Sequence, residues 1–171
     1  VFSEAPGNPS NNTAREQWYY QWLSVSFVYV PLPKAQDPIR SIISFQDNLV
    51  VFTDTGKYNI YGTDRSNLQM RQAVSTQGAI NNRGTMVHRN ILFFVGTDGL
   101  YSYDGAKDTN LAALVQPEFD AIPNPRNISV AAFDRLIRFY YPGDGKAYNN
   151  RALLYHTDYK EVLMDTGINV D

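Results

Sequence analysis

One strand–turn–strand phrase, written twice, constrains this chain more than any other feature. Residues 48–62 read N-L-V-V-F-T-D-T-G-K-Y-N-I-Y-G and residues 91–105 read I-L-F-F-V-G-T-D-G-L-Y-S-Y-D-G, so Leu49, Gly56, Tyr58 and Gly62 recur as Leu92, Gly99, Tyr101 and Gly105 at an offset of 43 residues. In each copy a run of apolar β-formers ends at a Thr/Asp/Gly turn. A tyrosine-containing run that alternates face by face follows, before a second glycine. The phrase is a repeated β-hairpin. A period in the low forties is the signature of β-propeller blades, so the repeat speaks to fold class before it speaks to function.

Around that repeat the composition narrows the choices. A chain of 171 residues holds one domain with a real core. Fifteen Lys and Arg against 17 Asp and Glu leave a net charge of -2, which offers no basic footprint for tight, sequence-specific binding of nucleic acid. A near-neutral wall can still line a channel through which nucleic acid passes. Cysteine is absent, which removes disulfides, thiolate metal sites and cysteine nucleophiles together. Twelve Tyr and nine Phe, set in strand-like runs, argue for an all-β fold with aromatic cores and loop tips. No apolar run approaches the roughly 20 residues of a membrane span. The first residues, V-F-S-E-A-P, read as the inside of a strand, and the whole reads as part of a longer polypeptide.

In chain order, residues 4–13 are packed with turn formers and read as a loop. The stretch from Arg15 to Pro33 sets helical spacing of Trp18 and Trp22 against a β-branched, aromatic run, and reads as an irregular or helical start followed by a strand over 23–30. Strands are then predicted over 39–45, across the first copy of the repeat, and over 68–74. A polar connector follows over 78–84, then 85–88, the Arg89-Asn90 turn and the second copy. Leu111, Leu114 and Val115 have helical spacing, which predicts a turn or two of helix before Pro117. A third hairpin, 128–133 and 136–141 around Asp134-Arg135, repeats the pattern near Phe45, and 151–156 and 161–164 add two strands. The organisation is a partial leading blade and loop over 1–36, then blades over 37–84, 85–127 and 128–171. Propellers use about four to eight blades, so three and a partial one predict a fragment of a larger ring.

Candidate chemistry is sparse. His88 and His156 lie in separate strands with no third partner for a metal site or triad, and are read as structural or surface residues. Asp54, Asp98, Asp104 and Asp144 sit in turns, where a carboxylate ordinarily hydrogen-bonds the backbone of its own loop; a glycosidase pair or calcium site is the rival use. No catalytic residue, metal ligand or cofactor is assigned. Trp18, Tyr19, Tyr20 and Trp22 form the densest aromatic group, and divide between core packing and an intersubunit contact.

Taken in order, V-F-S-E-A-P-G-N-P at 1–9, Trp18 or Trp22, Val30-Pro31, Asp37-Pro38-Ile39, the hairpin over 42–52 and G-L-Y-S-Y-D-G at 99–105 resemble a family of phage and prophage virion proteins. These are β-propeller components of the tail, nozzle or head-to-tail connector. The resemblance implies a non-enzymatic structural subunit, made in the bacterial host cytoplasm and located in the virion. It also implies assembly around the DNA exit path with further copies or other tail proteins, with the Trp18 to Trp22 segment as a contact surface. The alternative is a carbohydrate-binding or host-recognition propeller with a glycan partner. A glycoside hydrolase or lyase fragment would need two carboxylates roughly 5 to 9.5 Å apart across a cleft.

Overall fold

The computed structural model describes residues 37–63, 67–74, 77–113 and 115–166. The chain divides into two compact units, Val1–Pro33 and Lys34–Asp171, and the described residues all belong to the second. The described part is all-β, built from three antiparallel four-stranded sheets, each a simple meander. Sheet I holds β1 (Ile39–Phe45), β2 (Asn48–Thr53), β3 (Lys57–Tyr61) and β4 (Gln69–Gln72). Sheet II holds β5 (Thr85–His88), β6 (Ile91–Val95), β7 (Leu100–Tyr103) and β8 (Asp108–Asn110). Sheet III holds β9 (Ser129–Phe133), β10 (Leu136–Tyr141), β11 (Arg151–His156) and β12 (Glu161–Asp165). None of the sheets closes on itself.

The hairpins follow from their turn residues. Gln46 and Asp47 (φ 48° and 62°) and Arg89 and Asn90 (φ 48° and 59°) take the left-handed backbone of two-residue turns, whose twist matches the strands they join. At the second glycine of the repeated phrase the backbone is again left-handed, φ 120° at Gly62 and 104° at Gly105, which explains why that glycine recurs. The first glycine instead closes a tight turn: Gly56 and Gly99 accept backbone bonds of 2.9 Å from Thr53 and Gly96.

Two elements differ from the sequence reading. Residues 108–110, to which the sequence reading assigned no element, pair with β7 as an edge strand, too short and polar to carry a strand pattern. The helix, α1 (Gln116–Asp120), begins after Val115 rather than ending before Pro117. Proline fits a helix's first turn because its missing N–H has no intrahelical partner there.

The three sheets stack through their faces. Phe45, Val50 and Phe52 of sheet I pack against Leu92, Phe94, Tyr101 and Tyr103 of sheet II. On the other face of sheet II, Phe93, Val95 and Leu100 pack against Ile137, Phe139 and Leu153 of sheet III, with Phe119 of α1 and Ile122 in the same core. Burying such a side chain is worth about 1.5–3 kcal/mol, so these two seams hold the stack together. First strands neighbour one another, β1 beside β5 and β5 beside β9. Polar bonds fix their relative height: Ser41 Oγ lies 2.7 Å from Thr85 Oγ1, and the Val130 N–H donates to the Arg83 carbonyl at 2.9 Å.

Candidate functional site

Alternation along the strands gives each sheet one face toward the preceding sheet and one toward the next, so the hairpin register makes positions comparable. Phe45, His88 and Phe133 each end a first strand and face the start of the second, Asn48, Ile91 and Leu136. In the seam between sheets I and II, Phe45 packs on Tyr103 with ring centroids 5.9 Å apart. Tyr155 occupies the place in sheet III that Tyr103 occupies in sheet II, each paired to the second residue of its central strand, Ile137 and Leu92. Opposite Tyr155, however, stands His88 rather than a phenylalanine. Its Nε2 lies 2.7 Å from the Asp134 carbonyl oxygen, held at the turn. In the second seam the ring that packs on the tyrosine is Phe93 of the middle of sheet II, and a cleft of about 470 Å³ opens beside it.

Sheet II supplies the cleft's floor and one wall as a cross-strand row, Phe93 beside Ser102 beside Thr109. Ile91 and Tyr155 complete the apolar part, with the Phe93 and Tyr155 rings 6.1 Å apart. Burial pushes the Tyr155 phenol up, so it stays a neutral hydrogen-bonding group. Three hairpin turns deliver one cation each: Arg89 between β5 and β6, Lys107 between β7 and β8, and Lys160 between β11 and β12. One carboxylate, Asp104, lines the same rim. It accepts 2.9 Å bonds from the N–H groups of Ala106 and Lys107, which hold its carboxyl below the usual range. Arg89 is paired to Asp134 at 2.9 Å. Neither Lys107 nor Lys160 has an ion-pair partner within 4 Å among the described residues. The site is fitted to attract an anion with an apolar body.

The first seam treats its charge in the opposite way. Lys57 is fully buried there, and its Nζ donates to Asp108 Oδ1 and Oδ2 at 2.7 and 2.8 Å and to the Gln77 carbonyl at 3.2 Å. The Phe94 and Tyr103 rings lie 4.8 and 4.7 Å from the ammonium. Burial pulls the ammonium below the usual lysine range while Asp108 opposes that shift. This pair is closed and fully partnered, which is what a structural pair requires.

The residues singled out in the sequence fall as follows. Trp18, Tyr19, Tyr20 and Trp22 lie outside the described residues. His88 and His156 occupy separate sheets; His156 Nδ1 accepts from the Asp158 and Tyr159 N–H groups at 3.3 Å. Of the turn carboxylates only Asp104 bonds its own loop in the expected way. Asp54 takes a bidentate pair of 2.7 Å bonds from Arg40, Asp144 pairs with Arg151 at 2.5 Å, and Asp98 accepts from the Tyr101 hydroxyl at 2.9 Å. The turns that carry Asp54, Asp98 and Asp144 join second to third strands, whereas Asp104 lies in a third-to-fourth connection at the other end. Sequence reading missed Arg89, Lys107 and Lys160 as a group, because only the stacking of sheets II and III brings their turns together. The one available signal was that each sits in a turn at the same end of its meander. Among the described residues no group of three or more His, Asp or Glu side chains is placed to hold a metal ion. No model of a known protein family matches the chain, and no curated protein matches it in sequence.

Proposed function

We propose that this protein is a non-enzymatic structural subunit of a phage or prophage virion, a segment of a β-propeller whose outer sheet faces are assembly surfaces. One comparison carries the reading. At equivalent positions of the stack, Phe45 is 4% exposed where sheet II covers it, and Phe133 is 74% exposed on the free face of sheet III. Sheet I repeats the contrast at the opposite end: Leu49 is 40% exposed where its equivalent in sheet II, Leu92, is 0%. Leu49 and Phe133 are surface where their equivalents inside the stack are core, while Val51 and Tyr58, on the same face of sheet I as Leu49, are buried. A meander that packs face to face in series, with first strands side by side, is the arrangement expected of successive propeller blades, and the exposed Phe133 face of sheet III supports a further partner there.

Sheet III's free face has an interface composition. Phe133, Arg138, Tyr140 and Leu163 share it, and aromatic residues and arginine are the types enriched in protein interfaces. The occupant is another copy or another tail protein, and the near-neutral net charge of -2 suits a wall that conducts DNA without gripping it. The test is the mass of the purified chain by light scattering after size exclusion, beside Phe133→Asp with Leu163→Asp. A concentration-dependent oligomer reduced to monomer by the two substitutions, with β-sheet circular dichroism unchanged, is expected. A strict monomer in both proteins, alone and mixed with candidate tail proteins, would overturn the reading.

A further inference from the structure

Beyond assembly, we propose that the cleft between sheets II and III binds a short acidic saccharide. The proposal rests on what lines the opening. At about 470 Å³ it falls within the range of small-ligand sites, roughly 300–1,000 Å³. His88 stands at its edge, at the strand position that Phe45 holds in the neighbouring seam. Its contents divide into the three chemistries a sugar acid presents. Phe93 and Tyr155 offer an apolar floor for the C–H face of a pyranose ring. Ser102, Thr109 and Thr157 bring hydroxyls to the wall. Arg89, Lys107 and Lys160 ring the mouth with positive charge in a chain whose overall charge is -2, so the concentration of cations is local and not a property of the surface at large.

A further observation concerns the charge at this rim. Lys107 and Lys160 are not committed to any ion pair among the described residues, and opposite charge is present only as Asp104 and, bonded to Arg89, Asp134. A bounded pocket with a floor selects a discrete ring-shaped anion, whereas a nucleic-acid backbone asks for a stripe of charge along a groove.

The experiment is a calorimetric titration of the whole chain at low salt with a glucuronic-acid-terminated disaccharide, and with the matched glucose-terminated disaccharide that lacks only the charge. Inorganic phosphate and a short single-stranded oligodeoxynucleotide are the comparison probes. The expected result is saturable binding of the acidic sugar, at least about tenfold weaker for the neutral one, with similar losses in Lys107→Gln/Lys160→Gln and in Ser102→Trp, which places an indole in the cleft. Thermal melting of each variant shows that it is folded. Equal affinity for the two sugars, binding that survives both variants, no binding of either sugar, or phosphate or oligonucleotide bound more tightly than the sugar acid would each overturn the proposal. None of these outcomes depends on whether the chain oligomerises.

Discussion

The two seams of this molecule join the same kind of sheet to the same kind of sheet, yet they handle charge in opposite ways. Between sheets I and II a lysine is buried beneath aromatic rings and fully paired, and Phe45 on Tyr103 closes the end. Between sheets II and III the interior is apolar, the closing phenylalanine is a histidine, and the cations stay at the rim. The lesson is that a repeat can keep its backbone architecture while its seams diverge, because packing needs only matched volume and polarity at each level. The end of β5 carries His88 where β1 carries Phe45, and three cations line the cleft beside it.

The sharpest way to break the comparison is at the buried pair. Asp108→Ala leaves the Lys57 ammonium without its carboxylate inside the seam, and a loss of about 3–5 kcal/mol is expected in urea denaturation. Lys57→Met with Asp108→Leu should recover most of that loss, since an apolar replacement of a buried pair is often neutral. A loss under about 1 kcal/mol for Asp108→Ala would mean that water reaches the pair and that the seams do not differ in kind. In the apolar seam, Leu153→Ala should cost about 2–5 kcal/mol through lost transfer energy and a cavity, read from the same denaturation midpoint.

A smaller effect follows from Asp54. The hydrogen bonds from Arg40 hold its carboxyl below the ordinary 3.8, with burial opposing and the charges of Arg40 and Arg126 assisting. A carboxylate with a lowered folded value contributes stability that is present in full above the unfolded value. That contribution is lost as pH falls from about 4 through the depressed folded value. Asp54→Asn should therefore flatten the acid limb of a stability profile below about pH 4 and lower stability at neutral pH. An unchanged acid limb would show that the pair is too solvated to matter. The smallest effect is expected at the cleft: Lys107→Gln/Lys160→Gln should shift stability by no more than about 0.5 kcal/mol, because neither ammonium is committed to a partner. A larger loss would make these lysines structural and erase the contrast between the seams.

Much of the fold was legible in the chain. The doubled phrase named β2, β3, β6 and β7, the third hairpin named β9 and β10, and the turns at Gln46-Asp47, Arg89-Asn90 and Asp134-Arg135 fell where polar residues interrupt apolar runs. Alternation over a few residues is a local signal, and hairpins are local structures. β8 escaped because D-T-N has no apolar alternation to read; it is a strand only by pairing with β7. Proline 117 was read as a stop and acts in the structure as a start, since its effect depends on which side of it the hydrogen-bonded turn forms.

By itself the sequence determined that the chain folds into serial antiparallel hairpins, because side-chain period, turn chemistry and the left-handed glycines at 62 and 105 are properties of neighbours along the chain. Tertiary structure alone decided which faces meet. Lys57 finds Asp108 across 51 residues, and Lys107 shares a cleft with Lys160, a neighbourhood made by stacking and not by spacing. Burial of a charge and concentration of charge both depend on distance through space. A linear pattern holds no record of that distance until the sheets pack.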